Sequence, residues 1–128
     1  MTKATRGART PIPGRPVRGS ATGRPIMAAL DLLGRRWSLR ILWELLARPA
    51  GFRDLQSRCG DISASVLSTR LTELRHAAIL DTDADGKWRL TRLGEELVEA
   101  LSGLQSWSAE WASKLEDQAR RARVTRGK

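Results

Sequence analysis

Side chains equipped for covalent or metal chemistry are scarce in this sequence. One cysteine, Cys59, and one histidine, His76, stand among 128 residues. A lone thiol excludes an internal disulfide and a cysteine-based zinc site, and a lone imidazole removes most triad and metal-ligand schemes. No inward carboxylate pair, no nucleophile beside a base and no glycine-rich phosphate loop is legible, so no enzyme activity, cofactor or metal is expected. The stretch Asp81-Thr82-Asp83-Ala84-Asp85-Gly86 imitates the start of a calcium loop, but its twelfth position is Arg92, where an acidic ligand is required. Asp85-Gly86 is better read as a hairpin turn.

A different chemistry is written between Ser63 and His76. At about 100° per residue, Leu67, Leu71, Leu74 and Ala78 share the buried side of one helix, while Ser65, Thr69, Thr72 and His76 point away from it. Ser68 and Arg75 fall at one edge and Arg70, near Val66, at the other. Hydroxyls and guanidinium groups on one exposed helix face fit phosphates and base edges of double-stranded DNA. The row holds no Asn, Gln or outward Arg for a bidentate base contact, so direct readout is expected to be modest. An ordinary solvated face carries the same residue types.

Several short elements must position that row. Pro25 opens a first helix through Ile26, Leu30 and Leu33 that Gly34 stops. A second runs from Trp37-Ser38-Leu39-Arg40 with Leu39, Leu42, Trp43 and Leu46 in register, ending at Pro49 and Gly51. Phe52 to Cys59 makes about two turns, Gly60 turns the chain, and Ser63 caps a fourth helix reaching about Ala78. Strands Ile79 to Thr82 and Lys87 to Leu90 form a hairpin, and one long helix from Thr91 to about Ala119 follows. This order is that of a winged helix-turn-helix: mostly α with a small β-hairpin wing. Three aspartates make the wing tip repel phosphate, leaving Lys87 and Arg89 on its strand to touch DNA.

The net charge of +9 lies at the ends. Residues 1–24, rich in Pro and Gly, and 119–128 are read as basic tails around a domain at 25–118; the tails hold eleven of the 23 basic residues and no acid from Arg120 onward or before Asp31. Such tails are expected to be disordered and to add sequence-blind phosphate affinity. No apolar stretch approaches the roughly 20 residues of a membrane span, so no membrane partner and a cytoplasmic, reducing location are expected. On the last helix, Leu97, Leu101, Leu104, Trp111 and Leu115 form a seam flanked by Trp107, suited to a homodimer interface or to the chain's own core. A possible small-molecule effector would sit in apolar space around Trp37, Trp43 and Trp107.

An ordered set of blocks resembles the HxlR-type transcriptional regulators, dimeric winged-helix proteins of bacteria with an architecture like the MarR group. The blocks are Leu30-Asp31-Leu32-Leu33-Gly34-Arg35-Arg36-Trp37, Ile41-Leu42-Trp43-Glu44-Leu45-Leu46, Phe52-Arg53-Asp54-Leu55, Ile62-Ser63, Val66 to Leu74 and Leu90-Thr91-Arg92-Leu93-Gly94. The resemblance implies that Ser63 to Arg75 reads DNA, that Arg35 and Arg36 lie near its backbone, and that the first helix, with Ile26 and Leu30, dimerises with the last. Many members carry a cysteine directly before the proline that opens the first helix, where this chain has Arg24. The expected function is a sequence-specific regulator binding a palindromic operator as a homodimer. The alternative is a protein-interaction module tethered loosely to nucleic acid by its tails, consistent with the slightly acidic balance of the residues between them.

Overall fold

The computed structural model describes residues 10–17 and 23–127; the tail expectations for residues 1–9, 18–22 and 128 lie outside these. Helix α1 (Pro25–Leu33) begins on a proline whose fixed φ and missing N–H suit a first helical turn. Before α2 (Ser38–Ala47), Trp37 takes φ 79°, a left-handed conformation rare for so bulky a residue. Arg48 is extended, as a residue before proline must be, so α2 stops there. The Arg58 guanidinium donates to the carbonyls of Arg48 at 3.1 Å and of Glu44 and Pro49 at 3.4 Å, closing the end of α2. Helix α3 (Phe52–Arg58) and helix α4 (Ala64–His76) flank a turn in which Gly60 has φ 83°.

Strands β1 (Leu80–Thr82) and β2 (Trp88–Leu90) pair antiparallel with Leu80 opposite Leu90 and Thr82 opposite Trp88, each one residue shorter than expected. Ala50 adds a third edge, exchanging backbone hydrogen bonds of 3.0 and 2.7 Å with Trp88. The single long helix expected after Thr91 is two, α5 (Arg92–Ala100) and α6 (Gly103–Arg126). Ser102 and Gly103 are weak helix formers, and the chain turns there through Ser102 N–H to the Glu99 carbonyl at 3.1 Å. Helix α6 passes Ala119 and carries Arg120, Arg121, Arg123 and Arg126 to its last turn, where cations suit the helix dipole.

By internal packing the chain divides into Met1–Val98 and Glu99–Lys128. The first unit holds the core, in which Ile41, Leu42 and Leu45 of α2 meet Leu55 of α3, Leu67, Leu71 and Leu74 of α4, and Leu80 of β1. Part of the stretch read as tail joins it: Thr10 and Pro11 are buried, and Gly14 N–H donates to the Gly23 carbonyl at 2.9 Å. In the second unit no residue of α6 is buried.

Candidate nucleic-acid interface

The pose of α4 is set from three sides. At its start, the Ser63 hydroxyl accepts from Val66 N–H at 3.1 Å, satisfying one of the orphan donors of the first turn. In the turn before it, Gln56 Nε2 donates to the Ile62 carbonyl at 3.2 Å while the Ile62 side chain is buried. Along its inner face, Leu67, Leu71 and Leu74 are each at most 1% exposed. Ala78 does not continue that face. It lies beyond the helix with φ 64°, exposed, where the chain reverses toward β1, and Glu73 is buried instead.

Ser65, Ser68, Thr69, Thr72, Arg75 and His76 are exposed on the opposite side, as their spacing predicts. Thr69 and Thr72 donate their hydroxyl protons to the carbonyls of Ser65 and Ser68, at 3.0 and 2.9 Å. Each therefore presents a methyl group and oxygen lone pairs outward, able to meet a thymine methyl or a base amino donor. His76 Nδ1 lies 3.4 Å from the Thr10 hydroxyl, which places residue 10 at the far end of the reading helix.

The cations divide into exposed and engaged groups. Arg35 and Arg70 both bind the buried Glu73 carboxylate, and Arg70 Nε donates to the Arg36 carbonyl at 2.8 Å. Arg36 is exposed and stacks over Trp37 at 5.4 Å. Arg75 lies 5.3 Å over the Trp88 ring with Nη2 3.3 Å from the Thr82 hydroxyl, joining the end of α4 to the wing. On the wing, Arg89 is paired to Asp81 at 2.9 Å, and Lys87 is exposed at the turn. Asp83 accepts from Lys87 N–H at 3.0 Å and Asp85 N–H at 2.9 Å, and the Lys87 bond above all holds its carboxyl below the usual carboxylate pKa. That aspartate shapes the turn. Among the described residues no group of three metal-capable side chains occurs.

The sequence model of the HxlR-like helix-turn-helix family matches residues 32–116. This chain belongs to that family. It is similar to the uncharacterised HTH-type transcriptional regulator YvaP of Bacillus subtilis, 30% identical over 89 residues that cover 65% of this chain and 82% of YvaP. The solved structure of quinone-bound YodB from B. subtilis aligns with TM-score 0.62 at 28% identity, covering 66% of this chain and 96% of that one. A chain from Enterococcus faecalis assigned to the MarR family aligns with the same TM-score at 26% identity, over 70% of this chain and 86% of that one. The HxlR resemblance and the winged helix-turn-helix architecture expected from sequence are thus shown, and the protein is a transcriptional regulator of HxlR/MarR type.

Sequence reasoning about this HxlR protein missed four residues. Glu73 sits three residues after Arg70, a spacing that brings side chains together on a helix and was open to reading. Arg53 is an exposed cation on the first turn of α3. Ala50 and Trp88 build the third wing edge, which as a single bridge has no periodicity to read. Of the tryptophans expected around an effector, Trp37 is packed on the core, Trp43 is 53% exposed, and Trp107 stacks on Trp111 at 5.2 Å. An apolar cleft of about 340 Å³ lies between Pro11-Ile12-Pro13, Ala28 and Leu32 of α1, and Leu97 of α5. The residues expected at a dimer interface are all accessible, Ile26 and Leu30 on α1 and Leu104, Trp107 and Trp111 on α6 at half exposure or more, Leu101 less so. No helix among the described residues is long and apolar enough to cross a membrane.

Proposed function

We propose that this protein binds a palindromic DNA operator as a homodimer and regulates transcription from it. The observation that carries the proposal is the row Ser65, Thr69, Thr72 and His76, exposed on α4 directly opposite leucines that are fully buried. A helix held this firmly can enter the major groove without rearranging. Ser68 and Arg75 flank the row, Arg36 and Lys87 supply phosphate contacts on either side, and the basic ends add affinity without sequence information. Ile26 and Leu30 of α1, with Leu101, Leu104, Trp107 and Trp111, form the dimer contact. A two-fold arrangement then sets the reading helices about 34 Å apart, one turn of DNA, and supplies selectivity that a hydroxyl-rich face lacks. Thiol sensing is not part of the proposal. Arg24 stands before Pro25, and Cys59 is buried with its thiol pKa pushed up by desolvation.

The test is selection of random duplex DNA by the full chain at about 150 mM salt, where loose electrostatic binding is weak. An enriched palindrome with half-sites one helical turn apart is the expected result. Strong low-salt binding with no enriched motif would overturn the proposal. It would favour a protein-interaction module instead, a reading supported by the half-exposed Trp107 and Trp111.

A further inference from the structure

Glu73 is the one buried carboxylate among the described residues, its side chain 4% exposed, and it sits on the helix proposed to read DNA. Burying a carboxylate is costly unless opposite charge and hydrogen bonds surround it. Here both oxygens are used: Oε2 accepts from Arg35 Nη1, and Oε1 accepts from Arg70 Nη1 at 3.1 Å. Arg35 also lies 3.6 Å from Asp31 Oδ2 at the end of α1, and Arg70 Nε reaches the Arg36 carbonyl at 2.8 Å. The two arginines are each 19% exposed and Asp31 9%, so two cations and two anions form a neutral, largely desolvated cluster joining α1, the turn before α2, and α4.

The position of the two arginines gives the cluster its consequence. Arg70 lies at an edge of the reading face, and Arg35 lies in the turn whose next residue, Arg36, is exposed. From there a long guanidinium side chain would reach phosphate, adding affinity for any sequence. For either to do so here it would leave one oxygen of a buried carboxylate without its cationic partner.

We infer that Glu73 is a positioning residue that sets DNA selectivity: it fixes α4 against the turn before α2 and withholds Arg35 and Arg70 from phosphate. The inference rests on the DNA-reading role of α4. With Glu73 in place, phosphate contacts come from other cations, and sequence-blind binding by the folded domain stays weak. Neutralising the carboxylate frees at least one guanidinium for phosphate and loosens the helix at the same time.

The experiment measures affinity for the selected operator and for random duplex across a salt series, using wild type, Glu73→Gln and Arg70→Met, with circular dichroism and a melting curve for each. For Glu73→Gln, random-duplex affinity rises at least about threefold, the salt slope steepens by about one, and the operator-to-random ratio falls by about tenfold. For Arg70→Met the slope stays at the wild-type value, because that arginine neutralises no phosphate. A merely structural Glu73 would lower the melting temperature and weaken both DNAs together at unchanged slope, and that result overturns the inference. A slope shallower by about one in Arg70→Met overturns it as well, even if Glu73→Gln fails to fold. Wild type showing no operator preference would instead sink the DNA-reading role itself.

Discussion

The hydroxyl row and the single cysteine carry opposite kinds of chemistry, one facing out and one sealed in. If Ser65 and Thr69 contact an operator, replacing both by alanine costs about 1–3 kcal/mol on the selected site and little on random DNA, read by gel shift. For Cys59, 2% exposed, desolvation raises the thiol pKa above 9.0 against the opposing pull of Arg40 and Arg58. Thiolate is therefore scarcer in the folded chain. Iodoacetamide at pH 7.5 is expected to alkylate native Cys59 more slowly than the unfolded chain, because the native thiol is both buried and poorer in thiolate. A raised folded pKa also contributes stability that is complete below the unfolded value and is lost as pH climbs through the folded one. Asp83 has the reverse sign: its lowered pKa favours the hairpin turn above pH 3.8, and that support is lost as pH falls through the lower folded value. At this scale the outward row was legible because it needs only helical period. The engagement of Arg35 and Arg70 was not, because period fixes a side chain's direction and not the partner it meets.

Among the elements, the four helices before the hairpin were legible within a residue or two, since proline, glycine and a serine cap punctuate each apolar run. The break between α5 and α6 was missed because the apolar seam at Leu97, Leu101 and Leu104 continues across it, and the weak formers Ser102 and Gly103 overrode the pattern. The junction after α4 has a chemistry of its own. Ala78 takes φ 64° while Ile79 N–H closes on the Leu74 carbonyl at 3.0 Å, a helix end that glycine suits best. Ala78→Gly is expected to stabilise the fold by about 0.5–1 kcal/mol, the relief of left-handed strain exceeding the added entropy of the unfolded chain. Gly94 on α5 is the opposite case. A Cβ there would stand 2.3 Å from the Ile79 carbonyl oxygen, which also accepts Thr91 N–H at 3.0 Å. Gly94→Ala must push α5 off the start of β1, and a loss of about 1–3 kcal/mol in urea unfolding is expected.

For the whole molecule, composition located the basic excess at the ends before any fold was known, but could not say what the ends do. On α6, Leu104, Trp107, Trp111 and Leu115 repeat at helical spacing and are each about half exposed, an apolar run that water does not favour. If that run is the homodimer seam, Trp107→Ala with Trp111→Ala weakens self-association by at least about 2 kcal/mol per tryptophan, seen as monomer in sedimentation at micromolar protein. The N-terminal end calls for a narrower cut than removal of all 24 residues, because Thr10 and Pro11 are buried and the strap they begin lines the apolar cleft. Removing residues 1–9 takes away Lys3, Arg6 and Arg9 and leaves that packing intact. If those cations only neutralise phosphate, the salt slope becomes shallower by about 2–3, at about 0.9 per phosphate, and operator and random DNA weaken by the same factor. A changed operator preference in this deletion would mean that the arm itself reads sequence, and the division of labour between helix and tail would have to be redrawn.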